Sequence, residues 1–219
     1  MVVDIEVVDV NKPSPRILNR AAHLITKGKV IVCPTDTGYA LAANALDARA
    51  VLKVFSLKGR AYSNPIHIAV SSMEAAGKFA HLNKVAEYLA HSFLPGALTL
   101  VLPKKEIIPS LLVAGLDTIG IRIPDNRVIL DLAAMTNLPI TATSANLSGQ
   151  PTPYSAKEVT EQLGETIKNV ALILDQGPLP VHGLSTIVDL TVSPPQLIRQ
   201  GRVSWLEIRQ VLQSLPNLG

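Results

Sequence analysis

The sequence predicts an α/β fold, a mixed sheet with flanking helices. Short apolar runs alternate with segments of helical period along the whole chain. That alternation allows both parallel and antiparallel strand neighbours. The polar clusters able to carry chemistry fall in loops at strand ends, where open α/β sheets usually hold ligands.

Taken in order, Val2–Val10 reads as a strand. Pro15–Lys27 reads as a helix, with Ser14 as N-cap, Pro15 at its first turn, and Ile17, Leu18, Ala21, Leu24 and Ile25 on one face. Gly28 ends it. Lys29–Cys33 is a buried strand, followed by a loop over Pro34–Ala42, and Asp47 caps a helix through Leu57. Ile66–Val70 is the next strand, and Ser71 with Glu74 gives a capping-box pattern for the helix after it. Leu98–Leu102 and Thr118–Ile123 are strands, and Asn126–Thr136 is a helix. Ile140–Thr143 is a short strand running into Ser144. Ala171–Asp175 and Thr186–Leu190 are further strands, and Ser204 with Glu207 starts a last helix near Val211.

The 219 residues are 47% hydrophobic and 17% charged, which is globular composition, and we expect a single domain over residues 1–219. The net charge of +3 permits a nucleotide or RNA partner without demanding one, since no long Lys/Arg run exists. One cysteine, Cys33, rules out an intrachain disulfide and a cysteine metal cluster; it reads as inert core. The N-terminus lacks a signal-peptide pattern and no apolar run is long enough to span a bilayer, so a cytoplasmic protein without a membrane partner is expected. Transition-metal ligand spacing, a Walker loop and a GxGxxG turn are all missing from the sequence, which excludes the usual P-loop and dinucleotide-binding readings.

Two distant clusters carry the functional signal: Lys58-Gly59-Arg60 and Ser144-Ala145-Asn146. A cation pair opposite a hydroxyl and an amide is what a polyphosphate site without a P-loop needs. Around them, in order, stand Pro34-Thr35-Asp36-Thr37, Asn64-Pro65, Pro95-Gly96-Ala97-Leu98-Thr99, Arg122-Ile123-Pro124, Leu147-Ser148-Gly149, Ser185-Thr186-Ile187-Val188 and Arg199-Gln200-Gly201. This series resembles the YrdC/Sua5/YciO family over about residues 19–212, in its single-domain form.

The resemblance implies an open, twisted mixed sheet with flanking helices around a basic cleft. It implies synthesis of threonylcarbamoyl-AMP from L-threonine, bicarbonate or CO2 and ATP, with pyrophosphate released. The product would serve t6A modification of tRNA adenosine 37 through a separate threonylcarbamoyl transferase. Mg2+ would enter with ATP, and RNA, tRNA and double-stranded RNA included, is a further expected partner. Mapped residue by residue, the resemblance makes Lys58, Arg60, Ser144 and Asn146 the catalytic set. Arg60, Asn64, Thr118, Ser144, Thr152 and Arg199 would bind ATP. Thr37, Arg122, Ala142 and Ser185 would hold threonine, Arg122 through its carboxylate. Lys58 is expected to act as a mobile point charge and the guanidiniums as oxygen-bridging forks.

Several positions depart from the family pattern. Gly38 and Ala40 stand in the substrate loop, and Ala61 replaces a proline. Gly38 is expected to add backbone freedom and loosen loop closure. Ala69 stands where the resemblance implies a threonine-contacting histidine; His67 faces the same side about 6.5–7 Å away and is a candidate, imperfect substitute in the threonine pocket. The alternative reading is a nucleotide- or RNA-binding protein of the YciO type that lacks the synthesis. A third is an adenylate-forming enzyme for another amino acid, such as serine.

Overall fold

A computed structural model describes residues 3–214. The expected mixed α/β architecture is present, with its strands divided between two sheets. The five-stranded sheet has the order β1 (Ile5–Val7), β9 (Ile173–Asp175), β2 (Ile31–Thr35), β3 (Gly38–Ala42), β8 (Thr143–Ser144). The six-stranded sheet has the order β11 (Gln196–Arg199), β10 (Thr186–Asp189), β5 (Leu98–Pro103), β6 (Thr118–Arg122), β4 (Ile68–Ala69), β7 (Ile140–Thr141). Both mix parallel and antiparallel pairs.

The continuous apolar run in β2 is explained by burial on both faces. Val30 and Val32 belong to the main core, while Ile31 and Cys33 face a second cluster under α1 (Pro15–Thr26) and α5 (Arg127–Thr136). Burial pushes the Cys33 thiol up to about 12, so the thiolate does not form at neutral pH. No helix among the described residues is long and apolar enough to cross a membrane.

Helix α2 (Ala48–Lys58) starts as expected: the Asp47 side chain accepts from the backbone N–H groups of Arg49 and Ala50. It closes at Gly59, whose φ of 55° gives a left-handed C-cap. The capping box of Ser204 and Glu207 is formed, but its helix, α7 (Trp205–Gln213), begins at Trp205 rather than near Val211. Asn126 caps α5 from outside rather than starting it.

Other expectations are corrected. The Pro34–Ala42 loop is a hairpin of β2 and β3. Thr35 Oγ1 donates to the Gly38 carbonyl at 2.7 Å and accepts from Thr37 N–H at 3.1 Å, closing the turn. Pro34 is tolerated because β2 pairs with β9 only at Val32, so its missing N–H leaves no ladder bond unmade. Val2–Val10 shrinks to Ile5–Val7, an edge strand with one neighbour; Val2 itself lies outside the described residues. Ile66–Val70 pairs as strand only at Ile68–Ala69, and Ala171–Asp175 only from Ile173. Ser72, not Ser71, caps the short α3 (Met73–Ala76), accepting from Ala75 N–H. Four elements went unread in the sequence: α4 (Lys84–Phe93), α6 (Ala156–Leu163), the 3-10 helix Gly164–Asn169 and β11.

One correction builds the site. Ile140–Thr143 is not one strand. It breaks at Ala142, with β7 in the six-stranded sheet and β8 in the five-stranded one. The chain therefore crosses between sheets where the polar cluster Ser144–Asn146 begins.

Candidate functional site

The cleft lies between the two sheets and has a volume of about 260 Å3. The five-stranded sheet contributes the β2–β3 hairpin and β8; the other contributes the ends of β5, β6 and β11.

At one wall, Lys58 ends α2 and is buried, 2% exposed. Its Nζ donates to Ser144 O at 2.5 Å, Asn146 O at 3.1 Å and Asn146 Oδ1 at 2.6 Å. All three ammonium hydrogens are therefore engaged, which corrects the expectation of a mobile charge. Ser144 Oγ also donates to Asn146 Oδ1, at 2.7 Å, and Asn146 Nδ2 donates to Gln150 O and Pro151 O. Burial first, then Arg60, pushes Lys58 down to about 7 from 10.5. The three oxygens on its hydrogens oppose that shift by favouring the charged form.

Arg60 donates from Nε to Asn64 O at 3.0 Å and from Nη2 to Pro65 O at 2.8 Å. That fixes the guanidinium plane along the cleft wall. Asn64 thus contributes a backbone oxygen, while its residue is exposed and outside the cleft lining. Arg199 donates from Nε and Nη2 to Ser185 O at 3.1 and 2.8 Å, and from Nη2 to Ser185 Oγ at 3.0 Å. Thr99 Oγ1 donates to the same Ser185 Oγ at 2.9 Å. Burial lowers both Arg60 and Arg199 from their ordinary value.

At the other end, Arg122 is nearly fully buried. Nη2 meets Asp36 Oδ1 at 2.6 Å, Nη1 donates to Thr37 Oγ1 at 2.6 Å, and Nε donates to Gly96 O at 3.0 Å. Three of its five N–H donors are spent, leaving two to reach a ligand. Asp36 Oδ2 is buried without a hydrogen-bond partner. Burial lowers Arg122, and the Asp36 charge resists this.

Of the predicted site residues, Lys58, Arg60, Ser144, Asn146, Thr152, Arg199, Thr37, Arg122, Ala142, Ser185 and His67 all line this cleft. Thr118 does not. It lines an adjoining hollow of about 250 Å3, which meets the cleft at Pro65 and His67. Ala69 registers beside Arg122 across β4–β6 but is fully buried in the second core cluster and outside the lining.

Gly38 is corrected as well. Its φ is +120°, and a Cβ there would lie 2.4 Å from Thr152 Cγ2 and 2.9 Å from Pro153 O. Tyr39 N–H donates to Pro153 O at 2.9 Å. The glycine lets the Thr152–Pro153 segment dock directly on the hairpin, so the loop is tightened there rather than loosened.

Sequence reasoning did not assign Asp36, Thr99 or Gly120. A Cβ on Gly120 would fall 2.4 Å from the His67 ring. A glycine inside the strand Thr118–Arg122 was the available signal for such a close approach. Among the described residues, no group of three or more His, Cys, Asp and Glu side chains could hold a metal ion.

A family model covering the Sua5, YciO and YrdC proteins, described as telomere recombination, matches residues 23–201. The chain belongs to this family. A Pyrococcus abyssi protein named threonylcarbamoyl-AMP synthase is 42% identical over 193 residues, covering 88% of this chain and 56% of the relative. The crystal structure of P. abyssi Sua5 complexed with L-threonine superposes with a TM-score of 0.89 at 38% identity, covering 97% of this chain and 61% of that one. Escherichia coli YciO superposes with a TM-score of 0.82 at 26% identity, covering 93% and 98%. The chain thus spans somewhat over half the length of the P. abyssi relative, and identity is higher toward the synthase than toward YciO.

Proposed function

We propose that this Sua5/YciO/YrdC-family chain synthesises threonylcarbamoyl-AMP from L-threonine, bicarbonate or CO2 and ATP, releasing pyrophosphate. The convergence of Arg60, Arg199, Arg122 and Lys58 on one cleft supports this most directly. The carbamate formed from threonine must attack the α-phosphorus of ATP, and both partners are anions. Their repulsion is the main obstacle, and preorganised cations remove it.

In this reading Arg60 and Arg199 meet the phosphates, each held in plane by carbonyl oxygens and each keeping its Nη1 free of the hydrogen bonds described above. Lys58 holds the Ser144–Asn146 turn, so that Ser144 and the loop reaching Thr152 face the nucleotide. Arg122 takes the threonine carboxylate with its two spare N–H groups; Thr37 and Ser185 read the polar groups, and the Ala142 backbone lines the pocket. The nucleoside would extend past Pro65 toward Thr118 in the adjoining hollow. Asn64 would act through its oxygen on Arg60. Mg2+ would arrive with the triphosphate, holding few protein ligands. The product would pass to a tRNA-modifying threonylcarbamoyl transferase in the cytoplasm, with RNA as a further partner of the basic cleft.

The test is pyrophosphate release from ATP and bicarbonate, with and without L-threonine, beside Arg60→Ala and Arg199→Ala. Threonine-dependent release reduced about 30- to 1000-fold in the variants is expected. ATP binding by calorimetry without any release would overturn the synthase reading in favour of a nucleotide-binding protein of the YciO kind.

A further inference from the structure

His67 is a titratable cleft residue that the proposed chemistry leaves without a defined task. It lines both the main cleft and the adjoining hollow, at the point where the two meet. Its backbone is pinned: His67 O accepts from Ala142 N–H at 2.8 Å, tying β4 to the crossover between sheets. Its ring is placed by Gly120. The ring atom nearest to a Cβ there would be Cδ2 at 2.4 Å, then Cγ at 2.8 Å and Nε2 at 3.0 Å. The ring therefore packs against the strand at Gly120, with Cδ2 nearest.

The charges around the ring are one-sided. Arg60 from the segment after α2, Arg122 from β6 and Arg199 from β11 all act on it, and Lys58 closes the same cleft. The carboxylates at hand are Asp36, committed to Arg122, and Asp189 in the adjoining hollow. Burial, then Arg199, Arg60 and Arg122, holds the imidazole down to about 4, so it is neutral in the empty protein. A polyphosphate lying on these same arginines would cancel the repulsion and place its own negative charge beside the ring. Both changes favour protonation.

We propose that His67 is a proton acceptor of this site, taking up its proton when a polyphosphate occupies the arginines that line the cleft with it. What donates the proton rests on the synthase reading. The ammonium of the bound amino acid passes one proton to the imidazole, and the freed lone pair forms the N–C bond to CO2. The nitrogen's second proton leaves to solvent as the carbamate forms. An acceptor that becomes basic only with nucleotide present would couple amine activation to the arrival of the phosphorus it must reach.

The experiment is a titration of the histidine rings by NMR, alone and with inorganic tripolyphosphate or a non-hydrolysable ATP analogue. His67→Gln assigns the signal, and the wild-type titration stands even if that variant folds poorly. We expect the His67 midpoint to rise by at least one pH unit on ligand binding, and to rise in the empty protein in Arg199→Gln. In active protein, His67→Gln should lower kcat more than it raises KM and flatten the acid limb of the pH profile. A ligand that binds without moving the His67 midpoint overturns this proposal and leaves the synthase reading intact. A midpoint that moves in a protein that releases no pyrophosphate keeps the proton-accepting site and overturns the synthase reading instead. Absence of any polyphosphate binding overturns both.

Discussion

Lys58 Nζ donates to Asn146 Oδ1 at 2.6 Å, joining the end of α2 to a turn 88 residues further along the chain. The same ammonium holds the Ser144 and Asn146 carbonyls, and the Lys58 carbonyl accepts from Ser148 N–H at 2.8 Å. The two motifs are thus one structural unit, in which the cation orders the polar turn.

Removing that cation should therefore affect stability as well as activity. Lys58→Met leaves two carbonyls and the Asn146 amide oxygen short of donors inside the protein. A loss of about 1–3 kcal/mol in denaturant unfolding is expected. Threonine-dependent pyrophosphate release should also fall even at saturating ATP, because Ser144 and Asn146 lose their placement. Unchanged stability would return Lys58 to the role of a free phosphate ligand.

The Asp36–Arg122 pair should be costly to break from either side. Its atoms meet at 2.6 Å with both side chains under a tenth exposed. Asp36→Ala strands a guanidinium in the interior, and about 3–5 kcal/mol of destabilisation is expected. Chemical denaturation measures it directly, and a loss under 1 kcal/mol would mean that solvent reaches the Arg122 charge.

Gly38 should not tolerate a valine. A side chain there meets Thr152 and Pro153 and requires a positive φ. Gly38→Val is expected to cost about 2–4 kcal/mol. Thr152→Ser, which removes the methyl in the way, should recover part of the loss in the double variant. A neutral effect would show that the 152–153 segment moves aside freely.

Stability should fall on mild acidification through His67. Its folded value is near 4 against an ordinary 6.5. Between those values the unfolded chain holds a proton that the folded chain does not, so unfolding free energy decreases as pH falls from 6.5 toward 4. His67→Gln should flatten that slope in a pH series of thermal melts. Lys58 acts in the same sense over a higher window, from about 10.5 down to 7.

The sequence by itself determined the α/β class, the buried run of β2, the Asp47 helix start, the Ser204–Glu207 capping box, and most of the residues gathered in the cleft. Periodicity, capping patterns and ordered motifs are local signals, and they survive folding. It did not determine which backbone groups would pair. Pro34–Ala42 read as a loop because Pro, Thr, Asp and Gly are turn residues, yet the hairpin forms because both of its arms are buried. Ile140–Thr143 read as one strand because nothing local marks Ala142 as the point where one sheet ends and another begins. Tertiary structure also decided what the site residues are free to do. Lys58 spends its hydrogens on Ser144 and Asn146, Arg122 is paired with Asp36, Asn64 is exposed outside the cleft, and Thr118 lines the neighbouring hollow. Each of these depends on which atoms meet across long stretches of chain, information that composition and spacing do not contain.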